Sequence, residues 1–249
     1  TEKRVSPHTI SSYRDTFRLL LLYAKKHLNK SPNNLAFSDL EAPFITGFLD
    51  HLEKDRKIGA RSRNLRLTAI RSFFQYAAFL VPESSTLINR VLAIPSKRHD
   101  RKLVEFLCAS EITAILKAPN RDTWIGRRDH EFLAVAIQTG LRVSELTGLR
   151  QEHITLDRGA HVRCLGKGRK ERCTPLTQQI IKILRVWRKE LKDDPTGPIF
   201  PNAHGGHLSS DSVQYLLKKY VAVAAATCPS LKKKSVSPHV LRHTTAMNL

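Results

Sequence analysis

From Ile10 onward through the first third of this sequence, the apolar residues recur three and four positions apart. Only a helix buries a pattern of that period on one side. Ser6-Pro7 opens the first such segment, because serine caps an orphaned N–H and proline has none to lose at the first helical position. Ile10, Tyr13, Phe17, Leu20, Leu21 and Ala24 carry it to about His27. Ser38-x-x-Glu41 reads as a capping box before a second helix holding Phe44, Ile45, Phe48, Leu49 and Leu52. A third helix is expected from about Ala60 to Leu80, with Leu67, Ile70, Phe73, Phe74 and Ala77 facing inward, and a short fourth around 86–93. Residues 1–98 thus specify a helical bundle.

The rest is mixed. A helix capped by Ser110, another from roughly Arg127 to Gln138 and a short one ending at Leu149 precede three β-patterned runs, Ile154–Leu156, His161–Leu165 and Arg172–Leu176. Helices return from Thr177 to about Leu191, from Ser210 to about Ala226, and from Ser237-Pro238 onward, with a loop over Pro195–Leu208. Between the halves, Pro95-Ser96-Lys97-Arg98-His99-Asp100-Arg101-Lys102 is proline-led, charged and aperiodic, as linkers are. The expected organisation is a helical domain over 1–95, a basic linker over 96–102 and a mixed domain over 103–249.

Lysine and arginine number 42 against 22 acidic residues, a formal charge of +20 and a pI near 10.2, which favours a polyanion as partner. No apolar run is long enough to span a membrane, and none stands apart as an amphipathic anchor. On the third helix, Arg61, Asn64, Thr68, Arg71 and Gln75 oppose the apolar face, with Arg63 and Arg66 beside them. That stripe is either a DNA-groove surface or a solvated helix face. Lys97, Arg98 and Arg101 in the linker suit a segment crossing a DNA backbone, and Arg169 and Lys170 add cations beside Lys167. Cys164 and Cys173 are expected to face each other across a hairpin as small buried hydrophobes, and no cysteine or histidine spacing forms a metal site. His204 and His207 read as part of a polar loop, Trp124 and Trp187 as packing residues.

The last stretch concentrates chemistry. Ser237 and Pro238 begin a helix, His239 sits in its first turn, and Arg242 follows on the same face. Unpaired N–H groups at a helix start, an imidazole and a guanidinium together make a phosphate site. Two upstream segments supply further cations, Thr139-Gly140-Leu141-Arg142-Val143-Ser144-Glu145-Leu146 and Gly166-Lys167-Gly168-Arg169-Lys170-Glu171-Arg172. Taken alone, Arg142 fits equally a helix residue paired with Glu145.

In that order, the three segments resemble the tyrosine recombinase (phage integrase) family, and the run Arg63–Phe74 resembles the end of its core-binding domain. The resemblance implies a mainly α fold: an N-terminal helical core-binding (SAM-like) domain, and a C-terminal α+β catalytic domain with a small three-stranded antiparallel sheet, together forming a clamp on DNA. It implies site-specific recombination of double-stranded DNA by a bacterial cytoplasmic, nucleoid-associated enzyme, without metal or cofactor, through a phosphotyrosyl intermediate. Arg142 and Arg242 would bind the scissile phosphate, His239 would donate to it or handle the nucleophile's proton, Lys167 would protonate the leaving 5′-oxygen, and Glu145 would orient Arg142. Full-length members assemble as a synaptic tetramer. The family's nucleophilic tyrosine follows the His-x-x-Arg motif, whereas Tyr13, Tyr23, Tyr76, Tyr215 and Tyr220 all precede Arg242. The sequence stops at Leu249, so this chain is expected to grip DNA without cleaving it and not to form the tetramer. A non-catalytic DNA-binding accessory protein is the alternative; a metal-dependent nuclease lacks its carboxylate cluster.

Overall fold

A computed structural model describes residues 5–99, 105–166 and 171–247. They fall into two compact units, Thr1–Lys102 and Leu103–Leu249.

The first unit is four helices: α1 (Pro7–Leu28), α2 (Ala42–Lys54), α3 (Ala60–Leu80) and α4 (Ser85–Leu92). Ser6 caps α1 as its sequence implies, its Oγ accepting the Thr9 N–H at 3.2 Å. The capping box expected before α2 does not form. The helix begins only at Ala42, which leaves Ser38 inside a preceding 3₁₀ turn; Asp39 instead takes the Ala36 N–H and the Lys30 ammonium. Ile45, Phe48, Leu49, Leu67, Ile70 and Phe74 are fully buried, the stabilising yield of the helical periodicity. Phe73, expected inward, stands at the rim and meets Phe17 edge to face. After α4 the chain turns back along α3 and is still bound to it at Lys97, so the expected linker does not come free at residue 96.

The second unit contains α5 (Ala109–Lys117), α6 (Trp124–Thr139), α7 (Val143–Thr147), β1 (Ile154–Thr155), β2 (His161–Leu165), β3 (Glu171–Pro175), α8 (Gln178–Arg188), α9 (Ser210–Ala224) and α10 (Pro238–Met247). The cap of α5 is Cys108 rather than Ser110, its N–H taken by Glu111 Oε2 at 2.9 Å. Helix α6 starts three residues earlier than its apolar period suggests. Thr123 Oγ1 accepts the Gly126 N–H at 3.1 Å, and any Cβ at Gly126 would lie 1.8 Å from Asn120 O. The three strands form an antiparallel sheet in the order β1-β2-β3. Cys164 pairs with Arg172 and Cys173 with Arg163, so the two cysteines point to opposite faces, one buried and one exposed, and do not meet. Trp187 is buried in the core, its indole N–H donating to Ile199 O at 2.8 Å, and Trp124 packs beside it.

Two threonines fasten helix α10, one to the segment before α5 and one to α6. Thr244 Oγ1 accepts the Leu107 N–H at 2.9 Å, and Thr245 Oγ1 donates to Ile137 O at 2.6 Å. Gly140 ends α6 at φ 58°, a left-handed conformation, and a Cβ there would press on Thr245 at 3.1 Å. Close approach at Gly140 therefore brings the start of α7 to the side of α10. Among the described residues no helix is long and apolar enough to cross a membrane, and no cluster of His, Cys, Asp or Glu can hold a metal ion.

Candidate active site

Arg142 is the residue that leads into α7 and Glu145 the third residue within it. At that spacing the carboxylate folds back over the helix start: Oε2 accepts the Arg142 backbone N–H at 2.7 Å and Oε1 accepts Arg142 Nη1 at 3.1 Å. The Glu145 side chain is only 6% exposed. From β3, Arg172 Nη2 reaches Oε2 at 2.7 Å, while Arg172 Nε donates to Cys164 Sγ at 3.2 Å. From α10, Arg242 Nη1 stands 4.0 Å from Oε2 and donates to Gly140 O at 2.8 Å. Three guanidinium groups from three elements thus surround one buried carboxylate. The cluster keeps a net positive charge, and Arg142 and Arg242 remain partly open to solvent.

His239 lies in the first turn of α10, one turn before Arg242, and is exposed. With Val143, the neighbour of Arg142, it borders a groove of about 1070 Å³ whose walls include Tyr215, Lys218 and Lys234. The structure therefore gathers Arg142, Glu145 and Arg242 around one point and sets His239 beside it. Lys167, Arg169 and Lys170, and likewise Arg101, lie outside the described residues; β2 and β3 lead into and out of residues 166–170. Sequence reasoning missed Arg172. Its signal was the hairpin register, which puts residue 172 opposite buried Cys164 and on the face toward Glu145. His243 is exposed, and His207 is tied to Thr147 O through Nδ1 at 2.7 Å.

The basic stripe expected on α3 is only partly open: Arg61, Thr68 and Gln75 are exposed, whereas Asn64 and Arg71, and Arg63 and Arg66 beside them, are drawn into contacts within the unit. Arg63 is 3% exposed, donates to Pro95 O at 3.4 Å and lies 3.3 Å from Glu53. Asn64 makes two hydrogen bonds with the Lys97 backbone, at 2.8 and 3.0 Å. Arg66 donates to Ser12 O and Thr16 Oγ1, and Arg71 to Ile94 O. These four side chains bind their own backbone and helices, not an open groove surface. Carbonyls of the returning chain at Ile94, Pro95 and Lys97 draw in Arg71, Arg63 and Asn64, while Arg66 ties α3 to α1. Lys97 pairs with Glu53 at 2.6 Å but stays half exposed; Arg61 and Arg98 are exposed.

Of the tyrosines, Tyr220 is buried and donates to Asp129 Oδ2 at 2.8 Å. Burial, with that carboxylate, pushes its phenol well above the usual range. Tyr215 is exposed on α9, and Tyr13, Tyr23 and Tyr76 belong to the helical unit.

Comparison with known proteins places both units. The profile of the phage integrase family matches residues 105–249, and that of the phage integrase N-terminal SAM-like domain matches residues 1–79. A Sinorhizobium fredii protein named as an integrase/recombinase, y4rC, is 56% identical over 248 residues, covering 100% of this chain and 75% of its own. Tyrosine recombinase XerC of Xanthomonas axonopodis pv. citri is 32% identical over 256 residues, covering 100% of this chain and 79% of its own. Among solved structures, the Tn1549 transposon integrase in complex with a circular intermediate DNA matches with a TM-score of 0.72 at 13% identity, over 98% of this chain and 82% of that one. XerH site-specific recombinase bound to its difH substrate matches at 0.67 and 18%, over 96% and 67%. At those identities the shared property is the fold.

Proposed function

The chain belongs to the phage integrase family of tyrosine recombinases, and we propose that it binds double-stranded DNA and activates one backbone phosphate for strand exchange. The observation that carries this reading is the convergence of Arg142 and Arg242 on Glu145, with His239 one turn from Arg242. An attacking tyrosine oxygen forms a bond to phosphorus while the bond to the 5′-oxygen breaks, and negative charge builds on the non-bridging oxygens between those events. Arg142 and Arg242, oriented at one nitrogen and open at the others, bind those oxygens through planar forks that strengthen as the charge grows. Exposed His239, at the start of a helix whose N–H groups face the same side, adds a donor. Lys167 returns a proton to the departing 5′-oxygen. The recombinases solved on DNA that share this fold are consistent with the partner.

None of the five tyrosines serves as nucleophile in this reading. Tyr220 is locked under Asp129, Tyr13, Tyr23 and Tyr76 lie in the helical unit, and Tyr215 precedes the motif that the family's nucleophile follows. Residues 1–249 should therefore bind duplex DNA, with an affinity that falls steeply as salt rises, and form no covalent link. The test is incubation of residues 1–249 with a nicked duplex, followed by denaturing electrophoresis. A shifted band that survives denaturation and maps to a phosphotyrosine in this chain would refute the assignment; DNA binding without such a band supports it.

A further inference from the structure

Arg172 has no part in the chemistry just described, yet its guanidinium donates to Glu145 Oε2 at 2.7 Å. That oxygen also takes the Arg142 N–H, and Arg242 Nη1 waits 4.0 Å from it, held back by Gly140 O. A carboxylate this buried cannot recruit water for a lost partner, and an uncompensated buried charge is expensive. Were Arg172 absent, the nearest guanidinium able to replace it would be that of Arg242. We propose that Arg172 is a positioning residue: by satisfying Glu145 from the β3 side, it keeps Arg242 off the carboxylate and free for a phosphate. The inference rests on Arg142 and Arg242 being phosphate ligands.

Cys164 is the second support. Its Sγ accepts Arg172 Nε at 3.2 Å from the directly paired position on β2, which fixes the plane of the guanidinium so that Nη2 points at Glu145. A lysine could make one of these contacts but not both. Arg172 is the second residue of β3, so the same hydrogen bond fastens the β2–β3 pair to the arginine cluster.

The test uses residues 1–249 with isotopically labelled arginine and histidine, titrated with inorganic phosphate and followed by the side-chain resonances of Arg142, Arg242 and His239. In the unaltered chain all three should shift together. Arg172→Gln should weaken phosphate binding roughly tenfold and move the Arg242 resonance before phosphate is added. Adding Glu145→Gln removes the charge that captures Arg242. The double variant should therefore bind within about threefold of Glu145→Gln alone, a non-additivity that simple loss of packing would not give. If Arg172→Gln leaves phosphate affinity and the Arg242 signal unchanged, or if the two losses merely add, the inference is wrong while the proposed function stands. If phosphate shifts none of the three groups in the unaltered chain, the reading of the site falls and this inference with it. Should Arg172→Gln fail to fold, Arg172→Met, which keeps the apolar stem but cannot donate to Glu145, takes its place: a moved Arg242 resonance supports the proposal and an unmoved one overturns it.

Discussion

The two units put the same side chain to opposite uses. In the helical unit, Arg63, Arg66 and Arg71 end on main-chain carbonyls of Pro95, Ser12 and Ile94. In the second unit, Arg142 and Arg242 are each pinned through one nitrogen, with 44% and 32% of the side chain exposed against 4% for Arg63. What differs is the company. Helix α3 has a returning chain laid against it, whose Ile94 and Pro95 carbonyls take Arg71 and Arg63, while Arg66 reaches Ser12 O and Thr16 Oγ1 on α1, so these arginines become struts. Glu145 at the start of α7 orients Arg142, and Gly140 O holds Arg242, without enclosing either guanidinium. An arginine is a ligand where its neighbours leave the fork open, and a structural element where they close it.

The largest effects should separate these uses. Where strand cleavage is measured, Arg242→Ala or Arg142→Ala should slow it about a thousandfold, an oxyanion-type loss, while duplex affinity falls only a few-fold. Equal loss of both would make them ordinary backbone contacts. Arg63→Ala should do the reverse. By opening a cavity and leaving Glu53 with Lys97 as its remaining partner, it should lower the unfolding free energy of the helical unit by about 2 kcal/mol, seen as a lower urea midpoint. DNA binding of the folded fraction should be unchanged.

A carboxylate strut sharpens the contrast with Glu145. Burial pushes Glu111 up, but hydrogen bonds from Lys234, Ser230 and the Cys108 N–H outweigh it and hold the acid at about 2. Those bonds tie α5 to the segment leading into α10. A folded value below the unfolded one gives stability that is whole above pH 4.5 and drains as pH falls toward 2. By pH 3 about 2 kcal/mol of it should be gone. Thermal melts of the unaltered chain should show that slope between those limits, and Glu111→Gln should flatten it.

The fold was legible because burial and period agree. The helices of the first unit follow from apolar residues most of which are buried at the spacing that predicts them, such as Leu20, Ile45, Phe48, Leu67, Ile70 and Phe74. Local spacing foretold the Arg142–Glu145 pair and put His239 one turn before Arg242, while the grouping of the two segments came from their resemblance to a family in motif order. What spacing cannot carry is the partner of a polar residue distant in sequence. Asn64 meets Lys97 and Arg172 meets Glu145 only once the chain has folded. The stripe on α3 shows the cost: a row of cations opposite an apolar face looks the same whether solvent or a returning chain covers it.

The smallest predicted effect bears most directly on that row. Arg61 is exposed at the start of α3, while Asn64, one turn on, is engaged with Lys97. If the struts are structural and only the outer edge of α3 can meet DNA, the two residues should respond on different axes. Arg61→Ala should weaken duplex binding by a factor of about three and lower the slope of log affinity against log salt by about one, with no change in melting temperature. Asn64→Ala should cost about 1 kcal/mol of stability through its two lost hydrogen bonds and leave the salt slope intact. A salt slope reduced by Asn64→Ala would mean that DNA displaces the Lys97 backbone from this helix. The closed forks of α3 would then be ligands in waiting, and the contrast between the two units would be one of degree.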